Sequence, residues 1–228
     1  GAALSMAVSR LGIKPKIVMP RNTPKVKINN VIRNGGQIIW CDSNQASREK
    51  VLNDILNKTK STLVHPYNDD RIIEGQGTVA LELIEQCPEI EVIISPVSGG
   101  GLLSGTICTA KKINDKIKVY GAEPKEADDA FRSIKSGVIK ANKSTNTICD
   151  GLRAQIGTLT FPIIKNYVAD IFTIEEEEII DSMRLIWETM KIIVEPSCAI
   201  TLSAIIKNKK MFEGCLLYTS PSPRDTIR

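Results

Sequence analysis

The residues that could do chemistry fall in two short stretches. In the first, Ser95-Pro-Val-Ser98-Gly99-Gly100-Gly101-Leu102-Leu103-Ser104-Gly105, an apolar run gives way to three consecutive glycines and then to a helix-forming pattern. Glycines let a backbone approach an anion without Cβ clashes, and the open N–H groups and dipole of a helix N-terminus favour negative charge. That is the chemistry of a phosphate cradle formed by Ser98, Gly99, Gly100, Gly101 and Leu102; a tight strand-to-helix turn with no ligand would use the same glycines. The stretch is not GxxxxGK[ST], because no lysine follows before Lys111, and not GxGxxG, because its glycines are contiguous. In the second stretch, Gly121-Ala-Glu123-Pro-Lys-Glu-Ala-Asp-Asp129-Ala130, the carboxylates Glu123 and Asp129 flank a backbone carbonyl. Such hard oxygen donors suit Mg²⁺ or Ca²⁺ completed by water. Acids in a helix's first turn also complement its dipole with no metal, and on spacing alone this is the favoured reading.

These stretches need elements to position them, and the pattern supplies an alternation. Leu4, Val8 and Leu11 have helical spacing before a C-capping Gly12. Lys16-Ile-Val-Met-Pro20 reads as a short buried strand, residues 24–34 as a helix stopped by Gly35-Gly36, and Gln37-Ile-Ile-Trp-Cys41 as a second strand. A helix is expected over 45–60, a strand ending at Val64, a helix over 71–86, and the strand 91–97 that leads into the glycines. A helix over 102–113, a strand over 116–122 and a helix over 127–136 carry the acidic stretch. Helices over 160–168, 175–191 and 196–207 follow, with a strand at 171–173. Repeated alternation with short buried strands predicts an α/β fold with a mostly parallel sheet.

Composition limits the partners. A chain of 228 residues has room for one large domain or two small ones. Its apolar stretches are far shorter than the ~20 residues of a membrane span, so no membrane partner is expected. Thirty Lys and Arg against 26 Asp and Glu leave +4, with basic residues scattered singly and aromatics only 4%, which argues against nucleic acid. Cys41, Cys87, Cys108, Cys149, Cys198 and Cys215 form no CxxC or paired metal-ligand spacing. They read as reduced thiols, and a cytoplasmic location is expected. His65, the only histidine, precedes Pro66 and reads as a loop or packing residue.

Ser98-Gly-Gly-Gly-Leu102 after a strand resembles the cofactor-phosphate loop of pyridoxal-phosphate enzymes of the tryptophan-synthase β type, specifically the serine racemase and serine/threonine dehydratase (ammonia-lyase) branch. His65-Pro-Tyr-Asn68, Glu74-Gly-Gln-Gly-Thr-Val-Ala-Leu-Glu82, Cys149-Asp-Gly-Leu152 and Ile186-Trp-Glu-Thr-Met-Lys-Ile-Ile-Val-Glu-Pro196 agree, and the resemblance covers residues 1–214. It implies a two-domain α/β fold with mostly parallel sheets flanked by helices. Residues 1–68 would be the remnant of a small domain, and residues 69–214 an incomplete large cofactor-binding domain. It implies that Ser98 to Leu102 hold the phosphate of pyridoxal 5′-phosphate, and it favours the cation reading, with Glu123, Asp129 and the Ala127 carbonyl as ligands of Mg²⁺ or Ca²⁺. The substrate would be a small β-hydroxy amino acid, racemised or converted to a keto acid and ammonia, and the full-length protein a homodimer. The alternatives are a threo-3-hydroxyaspartate ammonia-lyase or other β-elimination member, and a non-catalytic module that binds a phosphate ligand.

The family's Schiff-base lysine stands in an S-F-K-x-R-G-A segment and its catalytic serine in an S-S-G-N-H-G run, whose final glycine Gly1 matches. Both would lie upstream of residue 1. No lysine of this chain has that context, so no catalytic residue is assigned within it, and the chain by itself is expected to be inactive. From Cys215 onward, Cys-Leu-Leu-Tyr-Thr-Ser-Pro-Ser-Pro-Arg-Asp resembles the translation of a sequencing-library adapter. Residues 215–228 are therefore expected to be a non-native coil.

Overall fold

The computed structural model describes residues 1–219. The chain divides into two units between Val64 and His65, against an expected boundary after residue 68.

In the first unit, β1 (Lys16–Pro20) pairs in parallel with β2 (Gln37–Cys41), in register from Lys16 opposite Gln37 to Pro20 opposite Cys41. Parallel pairing demands a crossover, which α2 (Lys25–Arg33) supplies, flanked by α1 (Ala2–Ser9) and α3 (Gln45–Lys58). Alternate residues of β1, Ile17 and Met19, turn inward with Val31 of α2 to form the core, covered by Ala2, Leu4, Ile28 and Ile38. The expected strand ending at Val64 does not form. Leu63 and Val64 are more than a third exposed, and β-branched residues without a neighbouring ladder gain little from an extended backbone.

The second unit is built on a parallel sheet in the order β5-β4-β3-β6. Its elements are α4 (Asp70–Gln86), β3 (Val92–Pro96), α5 (Gly101–Ile113), β4 (Lys118–Pro124), α6 (Asp129–Ser136), α7 (Thr160–Tyr167), β5 (Ile171–Ile174), α8 (Glu176–Met190), α9 (Pro196–Lys207) and β6 (Leu217–Thr219). All five residues of β3 are buried, as both faces of a covered parallel sheet require. Side-chain alternation divides them. Ile93 faces a cluster with Leu103, Ile107, Val119 and Ile164, whereas Val92 and Ile94 face one with Tyr120, Ala122, Ile179 and Ile200. The unit is thus a helix–sheet–helix sandwich, and each fully buried Ile contributes about 2 kcal/mol.

The segment expected to be coil from residue 215 departs from that reading. Leu217–Thr219 forms β6, with Val92 opposite Leu217 and Ile94 opposite Thr219. The exposed edge of β3 offers unpaired backbone groups, and Leu-Tyr-Thr has the β propensity to take them. Residues 220–228, the rest of the stretch expected to be non-native, lie outside the described residues.

Candidate functional site

Both candidate stretches leave the carboxyl ends of adjacent strands, β3 and β4, which is where open parallel sheets place their ligands. The glycine loop leads from β3 into α5. Gly100 is the N-cap of α5 with φ +90° and ψ 0°, and no side chain caps that helix. The first helical hydrogen bond runs from the Ser104 amide to the Gly100 carbonyl at 2.8 Å. The amides of Gly101, Leu102 and Leu103 lie in the first turn, ahead of any intrahelical acceptor. An uncapped helix start of this kind presents donors and positive dipole to an anion.

The three glycines are required chiefly by protein contacts. A Cβ on Gly99 would lie 2.4 Å from ring carbons of Tyr67, and one on Gly101 would lie 2.9 Å from the Tyr67 Cβ. One on Gly100 would meet Ile164 Cδ1 and Thr160 Oγ1 at 2.8 Å, in a backbone conformation L-residues rarely adopt. Tyr67 is set by a turn in which His65 Nδ1 accepts from the amides of Tyr67 at 3.3 Å and Asn68 at 2.8 Å. Burial holds the His65 imidazole below its usual range, against the opposing charge of Asp69. His65 therefore builds a turn, as its position before Pro66 suggested. Ser98 is engaged as well. Its hydroxyl donates to the Ala154 carbonyl at 3.0 Å and accepts from the Ala154 amide at 2.9 Å.

At the end of β4, Glu123 is fully buried. Its Oε1 accepts from the Ala130 amide at 3.1 Å and its Oε2 from the Phe131 amide at 2.9 Å, so the strand residue caps the start of α6. Asp129, also fully buried, accepts from the Ile156 amide through Oδ2 at 2.7 Å, while its Oδ1 has no hydrogen-bond partner. Ala127, buried in the short 3₁₀ turn Lys125–Ala127, stands between them. Burial raises the Glu123 carboxyl well above the carboxylate range, and the charge of Asp129 raises it further, against the two amides. Burial likewise raises Asp129 to about 6, opposed by the Ile156 amide, the Asn142 side chain and Arg132.

Two carboxylates shut away from water and an unpartnered oxygen are costly without a countercharge, so the donors fit a hard cation. Among the described residues no group of three His, Cys, Asp or Glu side chains converges; a cation here would draw on two carboxylates, neutral oxygens and water. Asn142 is a residue the sequence reading missed. It lies in the polar stretch 140–149, its side chain favours the charged form of Asp129, and its own Oδ1 is buried without a partner.

An uncapped helix N-terminus after a buried parallel strand is geometry suited to an anionic ligand in an α/β protein. Comparison with known proteins makes this specific. The model of the family described as "Pyridoxal-phosphate dependent enzyme" matches residues 1–215, and the chain belongs to that family. It is 51% identical over 224 residues to a serine racemase of Arabidopsis thaliana, covering 98% of this chain and 66% of that protein. It is 42% identical over 213 residues to a beta-hydroxyaspartate dehydratase of Paracoccus denitrificans, covering 93% of this chain and 68% of that one. The structure of maize serine racemase superposes with a TM-score of 0.92 at 42% identity, over the whole of this chain and 70% of the maize chain. The chain thus spans about two thirds of the length of these relatives. The α/β fold with parallel sheets flanked by helices is that of the tryptophan-synthase β-like enzymes.

Proposed function

We propose that the full-length protein is a pyridoxal-phosphate-dependent racemase or ammonia-lyase of small β-hydroxy amino acids, and that this chain carries its phosphate cradle and cation pocket. The observation that carries the reading is the uncapped start of α5 at Gly100, φ +90°, within a chain that matches the family along residues 1–215.

Pyridoxal phosphate, when bound, supplies the electron sink that acidifies the α-proton of an amino acid. Ser98, Gly99, Gly100, Gly101 and Leu102 would hold its phosphate by backbone donors, fixing the position of the reacting atoms without touching them. The 94–97 strand end is buried, and Tyr67 packs against Gly99 and Gly101 of the loop. Glu123, Asp129 and the Ala127 carbonyl would hold Mg²⁺ or Ca²⁺, whose charge removes the repulsion between the two carboxylates and so braces the start of α6. No lysine of this chain stands in the S-F-K-x-R-G-A context, so the 228-residue chain is expected to bind the cofactor without turning substrate over. The resemblance to serine racemases further supports a homodimeric, cytoplasmic enzyme.

The test is an assay of the full-length protein with L-serine, L-threonine and threo-3-hydroxyaspartate, with and without Mg²⁺, following keto-acid release and the enantiomer of recovered serine. Turnover of at least one substrate, increased by the cation, is expected. A full-length protein that acquires no absorbance band near the visible edge when pyridoxal phosphate is added, and that turns over none of the three, sinks the reading. The relative from Paracoccus makes hydroxyaspartate a necessary member of that panel.

A further inference from the structure

We propose that Thr160 is a positioning residue for the cofactor phosphate: its hydroxyl pins the Gly99 carbonyl and thereby aims the Gly100 amide at the ligand. The inference rests on the phosphate-cradle reading above.

Thr160 opens α7, yet its side chain does not cap that helix. Fully buried, its Oγ1 donates to the Gly99 carbonyl at 2.7 Å, 61 residues away in sequence, in preference to the more distant Gly157 carbonyl at 3.2 Å. The same oxygen accepts from the Gly157 amide at 3.0 Å, and that amide also lies 3.1 Å from the Gly99 carbonyl. Gly99 O, Thr160 Oγ1 and Gly157 N therefore form a closed triangle.

Peptide planarity gives the triangle its consequence. In a trans peptide the carbonyl of one residue and the amide of the next point in opposite directions, and the chain has no cis bond among its described residues. Holding the Gly99 carbonyl toward the 157–160 segment turns the Gly100 N–H away from it. One residue on, the Gly100 carbonyl accepts from Ser104 along the helix axis, which turns the Gly101 N–H out of the helix mouth. Two successive donors are set by two pinned carbonyls, and only the first depends on a side chain. The 157–160 segment is itself anchored, since Asn68 Oδ1 accepts from the Leu159 amide at 2.8 Å and its Nδ2 donates to Thr158 Oγ1 at 3.0 Å. A Gly157 Cβ would lie 2.3 Å from Asn68 Oδ1, so the anchor is tight.

The test compares binding of pyridoxine 5′-phosphate with that of pyridoxine by calorimetry; neither carries an aldehyde, so no covalent bond to a lysine contributes. The unaltered chain should prefer the phosphate form. Thr160→Val, which keeps the shape and removes the hydroxyl, should cut that preference about tenfold, the scale of one oriented hydrogen bond, and Thr160→Ser should restore it to within about twofold. Thr201→Val is the control, because it removes another buried hydroxyl, bonded to the Cys198 carbonyl, and should leave the preference unchanged. A Thr160→Val protein with the full preference, or a Thr201→Val protein that loses it equally, overturns the proposal. No preference in the unaltered chain overturns the cradle reading itself, and the proposal with it. Hydrogen exchange of the unaltered chain adds a readout free of variant folding. The Gly157 amide should be slowed by pyridoxine 5′-phosphate and not by pyridoxine; an unchanged amide counts against the triangle.

Discussion

The glycine loop and the acidic pocket occupy neighbouring strand ends but are built from opposite materials. The loop after β3 has no charged side chain and works through backbone donors, so its function depends on shape. The pocket after β4 depends on two side-chain charges that burial makes unfavourable, Glu123 raised well above the carboxylate range and Asp129 to about 6. One region should therefore fail when bulk is added and the other improve in stability when charge is removed, and substitutions can separate the two.

The largest effect is expected at Gly100. Gly100→Val adds strain at φ +90° and overlaps Thr160 and Ile164, which together should cost about 3 kcal/mol or more. The denaturation midpoint should fall and binding of pyridoxine 5′-phosphate be lost, while cation binding, followed by calorimetry, should persist in any protein that remains folded.

Asp129→Asn should act in the opposite direction. Without a divalent cation, folded Asp129 holds a proton that the unfolded chain releases near the ordinary value of 3.8. Stability from this source is present in acid and declines as pH rises from about 4 through about 6. The unaltered chain in chelator should therefore melt lower at pH 7.5 than at pH 5 once other groups are accounted for by the variant, and Mg²⁺ or Ca²⁺ should restore it. Asp129→Asn should melt on the order of 5–10 °C higher at pH 7.5 in chelator and should not respond to the cation. A variant that melts lower and still responds would show that the charge is not the unfavourable element.

Ser98→Ala is the mildest of the three. It removes the two hydrogen bonds to Ala154 and should cost about 1 kcal/mol, with binding of pyridoxine 5′-phosphate weakened a few-fold. Loss of binding as complete as in Gly100→Val would mean that the Ser98 side chain, and not the backbone, dominates the cradle.

Much of this was legible in the sequence where it is local. The buried β3 run, Gly35-Gly36 behind α2 and the glycine-to-helix junction at 99–101 each follow from a few adjacent residues. The acidic pair was visible as residue types, although spacing alone favoured a helix-dipole role over a cation role; the unpartnered Asp129 Oδ1 is what spacing lacks. Thr160, Asn68 and Asn142 carried no local signal, because each acts on a partner brought close only by the fold. The strand expected before Val64 and the coil expected at 217–219 failed for a common reason, since strand formation depends on a neighbouring edge that propensity does not record.

Gly77 and Gly105 give the loop one more property. A Cβ on Gly105 would lie 2.4 Å from the Ile73 carbonyl and 2.6 Å from the Gly77 amide, so α4 and α5 meet backbone to backbone. Two helices in such contact have no layer of flexible side chains between them to absorb displacement. The two helices, with the His65–Asp69 turn from which α4 springs, should therefore exchange their amide protons as a single cooperative body.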